Sequence, residues 1–227
     1  MKKKIFVICP FPKDEAAGQR LKYEQYIEQW EKEGYQVSIS NFMDLSLWAV
    51  VYTEGNYLKK FFGVIRGYAK RFLDIFFIPK ADLVYVFMWG TPFGSAFYER
   101  IIRLLSKNLI YDIEDNVMME QTNSLNPIMR FLRGSGKVNY LIQSSDHVIT
   151  SSPFLCEYAK EINNFGNATY ISSSINVNRF IPVNNFSNTK PIVLGWTGTF
   201  SSKEYLELLE PILKKLSARR NFKLRIR

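Results

Sequence analysis

The stretch IFVICPFPKDEAAGQRLKYEQYIEQWEKEGYQVSIS, Ile5–Ser40, decides the fold. It opens on Ile5–Cys9, an unbroken apolar run that ends at Pro10. A run this short, with no polar alternation, fits a strand buried on both faces of a parallel sheet. After a loop, Leu21, Tyr23, Ile27 and Trp30 recur at helical spacing among charges, and Gly34 closes that helix. Tyr35–Ser40 reads as the next strand. Strand, loop, helix and strand in this order open a doubly wound α/β fold, because the crossover between parallel strands is right-handed.

The alternation continues outward from there. Asp82–Phe87, Leu109–Ile113, Asp146–Thr150 and Ala168–Ile171 read as strands; Phe93–Leu105, Pro127–Gln143 and Pro153–Ile162 read as helices. Residues 176–190 are rich in Asn and Ser, hold Pro182 and lack periodicity, as an interdomain linker does. The pattern then restarts with Ile192–Trp196, a helix carrying Leu206, Leu209, Leu213 and Leu216, and Phe222–Ile226. The expectation is a Rossmann-like lobe over residues 1–175, a linker over 176–190 and the start of a second lobe over 191–227. One such unit cannot bury both faces of its sheet, so the second lobe is expected to be incomplete.

Composition narrows the class. A 47% hydrophobic share over 227 residues supports a large core. The net charge of +9 suits a nucleic acid, an anionic membrane face or phosphorylated ligands. No nucleic-acid module is present, the aromatics follow core periodicity, and no nucleic-acid partner is expected. Cys9 and Cys156 stand far apart and read as reduced, buried thiols. The first apolar run is too short for the roughly 7–15 residues of a signal-peptide core, and no stretch reaches the ~18 apolar residues of a spanning helix. The expectation is a cytoplasmic protein, or one held peripherally on the inner face of the membrane.

Four segments can carry chemistry. The loop Pro10–Arg20 turns through Ala16-Ala17-Gly18 into a helix, so backbone N–H groups can face an anion beside Arg20 and Lys22. Its glycine spacing is not that of a dinucleotide fingerprint, which argues against a reductase or epimerase. YDIEDN, Tyr111–Asn116, puts Asp112 and Glu114 on one face of a strand end with Asp115 starting the loop. Such acids can accept a proton from a sugar hydroxyl or hold hydroxyls. Gly195–Thr199 with Ser201, Ser202 and Lys203 is a second glycine turn into a helix, suited to phosphate. Finally, Tyr57–Ile78 gathers Leu58, Phe61, Phe62, Ile65, Ala69, Phe72, Leu73 and Phe76 on one helical face, and Lys59, Lys60, Arg66, Lys70 and Arg71 on the other. That pattern fits an interfacial helix on an anionic membrane surface, or a helix packed on the sheet with a solvated basic face. His147, the single histidine, reads as structural.

Taken in order, CPFPKDEAAGQRLKYEQYIEQWEKEGYQV, NLIYDIEDNVM, DHVITSSPFLCEYAKE and ISSSINVNRFIP followed by LGWTGTFSSKEYLELL resemble glycosyltransferase family 4, the retaining enzymes of the two-lobed GT-B type. The resemblance implies transfer of a sugar from a nucleotide-sugar donor to a saccharide or lipid-linked hydroxyl acceptor, in cell-surface polysaccharide or glycolipid assembly. The nucleotide-sugar is a co-substrate; no cofactor and no metal are implied. It assigns Asp112 and Asp115 to catalysis, Gly18, Arg20 and Glu114 to substrate, and Gly198, Thr199 and Lys203 to the donor phosphates. Thr199 stands where the family commonly has arginine. The family's paired-glutamate motif would lie beyond Arg227, so the chain alone is expected to be inactive, or to need a partner chain.

Overall fold

The computed structural model describes residues 2–114, 135–177, 191–198 and 203–226. The chain forms two compact units, Met1–Asn176 and Val177–Arg227.

The first unit is built on six parallel strands: β1 (Lys4–Cys9), β2 (Gln36–Asn41), β3 (Leu83–Phe87), β4 (Leu109–Ile113), β5 (His147–Thr150) and β6 (Ala168–Tyr170), in the order β2-β1-β3-β4-β5-β6. The order reverses between β1 and β3, which makes their carboxyl ends the topological switch point. Side chains alternate between two helix-covered faces. Phe6, Ile8, Val84, Val86, Tyr111 and Val148 point toward α5 (Phe97–Leu105), α6 (Ser135–Ser144) and α7 (Pro153–Ile162). Ile5, Val7, Tyr85 and Phe87 point toward Tyr23 and Ile27. Val7, Ile8, Val84 and Val86 are fully buried, and each stabilises the fold by about 1.5–3 kcal/mol. Both cysteines are buried and free, and burial pushes the Cys9 thiol up to about 11.

The first helical segment is broken where its periodicity predicted one helix. It runs as α1 (Ala17–Leu21), a 3-10 turn at Glu24–Tyr26 and α2 (Ile27–Lys32), with Lys22 at φ −98°, ψ −89° between them. The reason is long-range: Lys22 turns its ammonium into the sheet. The predicted helix at Phe93 begins only at Phe97, because Phe93 O accepts hydrogen bonds from Tyr68 Oη and Lys137 Nζ and fixes residues 91–95 as a loop. Two further helices, α3 (Leu45–Val51) and α4 (Tyr57–Asp74), follow β2. Asp44 caps α3 by accepting from Leu47 N at 2.8 Å.

α4 is continuous through both of its glycines, and they explain its position. A Cβ on Gly63 would lie 2.9 Å from Leu47 Cδ1, and one on Gly67 would lie 2.6 Å from the Phe42 ring. The helix therefore rests on α3 and Phe42 along its glycine stripe. Gly63, Gly67, Arg71 and Asp74 face inward and the aromatic stripe faces outward. This corrects the expectation of a wholly solvated basic face: Arg71 is buried, Lys70 half-buried, and Arg66 paired with Asp44 at 2.9 Å.

The second unit holds β7 (Ile192–Trp196), α8 (Lys203–Ser217) and β8 (Phe222–Ile226), with β7 and β8 paired in parallel. α8 runs through Pro211. Leu206 and Leu213 are half-buried, whereas Leu209 and Leu216 of the predicted apolar face are 43% and 37% exposed.

Candidate functional site

The site is assembled where α1 crosses the ends of β1, β3 and β4. α1 and the residue after it meet the end of β4 at two places. Glu114 lies against Gly18 closely enough that a Cβ there would overlap its carboxylate. Four residues on, Lys22 Nζ stands 3.3 Å from Asp112 Oδ1, two residues back along the strand. Gly18 is thus set by close approach, and the anion at the start of α1 is the chain's own Glu114. The Ser151 hydroxyl holds the Glu114 carbonyl and ties β4's end to β5's.

Asp112 is turned into the Tyr23–Tyr85 side of the sheet and is 1% exposed. Tyr85 Oη donates to its Oδ2. Its Oδ1 has no hydrogen-bond donor among the described residues and depends on the Lys22 charge. Lys22 in turn donates to Ile171 O at 2.7 Å. Burial raises the Asp112 carboxyl above its ordinary value, and the Lys22 cation and the Tyr85 hydrogen bond pull it part of the way back. Beside this pair opens a pocket of about 340 Å³ whose walls include Tyr26, Trp30 and Ile149.

The surrounding loops are fixed by buried polar groups. Gln19 donates to Phe11 O and Glu24 Oε1 and accepts from Phe11 N, while Glu24 accepts from Asp14 N. Those bonds hold the loop after β1 and stabilise Asp14 at φ 67°. After β3, Met88 takes φ 58°, Trp89 N donates to Phe87 O, and Met88 O accepts from Tyr111 Oη. Lys137 is buried and donates to Thr91 O, Thr91 Oγ1 and Phe93 O. Non-glycine residues at positive φ cost energy and persist where neighbours over-determine them, often at functional rims.

Of the residues expected from sequence, Gly18, Glu114 and Asp112 are brought together. Arg20 is exposed on α1. In the second unit Gly198 is exposed beyond β7 and Lys203 opens α8. Asp115 and Thr199 lie outside the described residues. Tyr85, Ser151 and the Gln19–Glu24 pair are additions. Lys22 had a signal, as one of the two basic residues beside the turn into α1. Ser151 and Tyr85 had none.

Replacing Gly18 by alanine tests the upper contact. Gly18 is not among the glycines at positive φ, and the obstacle is the mobile end of a side chain. Gly18→Ala is expected to move the Glu114 carboxylate and to leave stability within about 1 kcal/mol, since alanine favours the helix. Urea unfolding measures this; a loss above ~2 kcal/mol would mean that Glu114 is locked in place.

No family model and no curated protein matches the chain. Among solved structures it is similar to sucrose-phosphate synthase from Thermosynechococcus elongatus, with a TM-score of 0.64 and 15% identity over 99% of this chain. The chain spans 62% of the length of that synthase. Anabaena HepE, solved with UDP and glucose, aligns at a TM-score of 0.46 and 11% identity, over 100% of this chain and 70% of its own. The six-stranded parallel sheet with flanking helices is a Rossmann-like α/β fold matching that of GT-B glycosyltransferases.

Proposed function

We propose that the chain belongs to a retaining glycosyltransferase of family 4, which transfers a sugar from a nucleotide-sugar to a hydroxyl acceptor. The observation that carries this reading is the fold likeness joined to the contact of Gly18 with Glu114 beside the switch point. On this reading the first unit takes the acceptor, with the Glu114 carboxylate and Arg20 binding hydroxyls at the rim. The second unit takes the donor, with Gly198, Thr199 and Lys203 at its diphosphate. Cations and helix N-termini stabilise the departing diphosphate as its bond to the anomeric carbon breaks and the acceptor oxygen bonds to the same face. The acceptor's proton leaves with the diphosphate or passes to Asp115, an assignment that rests on sequence. Asp112, buried and paired with Lys22, is better suited to positioning α1 against β4 than to exchanging protons with a substrate.

Isothermal titration of the chain with UDP-, GDP- and ADP-sugars tests the donor half. One nucleotide class is expected to bind, and Lys203→Ala to weaken it roughly tenfold or more, as loss of a charge-assisted hydrogen bond does. A folded chain that binds none of them would overturn the donor assignment and leave an acceptor-side protein.

A further inference from the structure

α4 is built inside out. Its inner stripe is glycine and a buried ion pair, while Leu58, Phe61, Phe62, Ile65, Phe72 and Phe76 form a single outer stripe, each 47–74% exposed. Helices that cover a sheet turn their apolar stripe to it. Here the stripe most able to bury itself is turned away, and Arg71 fixes the helix in that attitude. We propose that this outer face docks on an anionic phospholipid bilayer, with α4 lying flat in the headgroup region.

Charge favours a bilayer over a second copy of the chain. Between Tyr57 and Lys80 there are six Lys and Arg residues and one acid, Asp74. Asp74 is buried against Arg71 at 2.9 Å and offers nothing to the surface. Asp44 neutralises Arg66. Lys59 and Lys80 remain exposed in this segment, whereas Lys60 continues the glycine row, half-buried, and donates to Thr53 O. A two-fold dimer would set two faces of the same positive sign against each other, whereas an anionic leaflet complements that charge and lets the lysine stems lie on the hydrocarbon. Aromatic rings are suited to that boundary. No helix among the described residues is long and apolar enough to cross a membrane, so the contact is from one side. Arg71 donates to Cys9 O and Gly90 O, so the docked helix is fastened to the loops at the switch point. A membrane-held acceptor would therefore be presented beside the rim.

Co-sedimentation of the full chain with phosphatidylcholine–phosphatidylglycerol vesicles, compared with pure phosphatidylcholine, tests the proposal. Binding to the anionic vesicles is expected. It should fall about fivefold for each of Lys59→Gln and Lys80→Gln and more than about tenfold in the Phe61→Ser, Phe62→Ser, Phe72→Ser triple variant. Because both native cysteines are buried, Phe61→Cys can be labelled selectively with an environment-sensitive dye. The dye should shift to the blue on anionic vesicles, which keeps the test open if the triple variant misfolds. Absence of binding by folded protein, equal binding to neutral vesicles, or a dye that stays in water would overturn the proposal. So would a concentration-dependent dimer that the triple substitution dissolves.

Discussion

Replacing Arg71 by methionine is expected to destabilise the first unit by about 3–5 kcal/mol, the cost of breaking a buried ion pair from one side. The guanidinium is 1% exposed. Its Nε donates to Gly90 O at 2.6 Å, Nη2 to Cys9 O at 2.7 Å, and Nη1 to Ser40 Oγ and Asp74 Oδ2, both at 2.9 Å. One side chain thus joins α4 to the ends of β1, β2 and β3. Methionine fills the stem's volume but leaves Asp74 charged and buried without its cation, the Ser40 hydroxyl still donating to it. For a unit of this size the loss corresponds to a fall in Tm of roughly 10 °C. The double variant Arg71→Met, Asp74→Leu should recover much of it, because an apolar pair of similar volume leaves no orphaned charge. Thermal and urea unfolding of the two variants decide the matter. A single-variant loss below about 1 kcal/mol would mean that water reaches the site. Hydrogen exchange along α4 should also quicken in Arg71→Met, since the helix loses its fastening while its own turns remain.

The same residue shows where sequence reading stops. The amphipathic pattern of Tyr57–Ile78 reveals that the helix has two faces, but not which one the fold covers. Periodicity measures the asymmetry and leaves its direction open. The direction was encoded in Gly63 and Gly67, which read as weak helix positions and prove to be the places where α3 and Phe42 come too close for a side chain. Strands were more legible. Leu109–Ile113, Ile192–Trp196 and Phe222–Ile226 fall on their expected bounds, because each opens directly after a turn former, Asn108, Pro191 or Asn221. The break in the first helix was not legible, for it depends on a carboxylate 90 residues away. In the same way the strand-end acids could be located, while their division of labour could not. Alternation puts Asp112 and Glu114 on one face, and only the crossing of α1 places one below the rim and the other upon it.

That division carries the second large effect. Asp112→Asn is expected to cost about 3–5 kcal/mol, because it leaves the Lys22 ammonium, whose side chain is 2% exposed, without its counter-charge. Lys22→Met strands the carboxylate instead, and here the outcome depends on pH. The Asp112 carboxyl already sits above its ordinary value through burial, and Lys22 is the strongest influence opposing that rise. Without Lys22 it must rise further. A carboxyl whose folded value exceeds its unfolded one binds its proton more tightly in the folded state, so its contribution to stability falls as pH rises through that window. The deficit of Lys22→Met relative to wild type should therefore shrink on acidification, as Asp112 takes up its proton and still accepts from Tyr85. The deficit of Asp112→Asn has no such origin and should not follow it. The double variant Lys22→Met, Asp112→Asn should be more stable than either single one, and the cycle of four proteins measures the coupling. Urea midpoints measured as pH falls provide the test. Parallel deficits for the two single variants would mean that Asp112 is solvated through the neighbouring pocket, and it would then be available to a substrate hydroxyl after all.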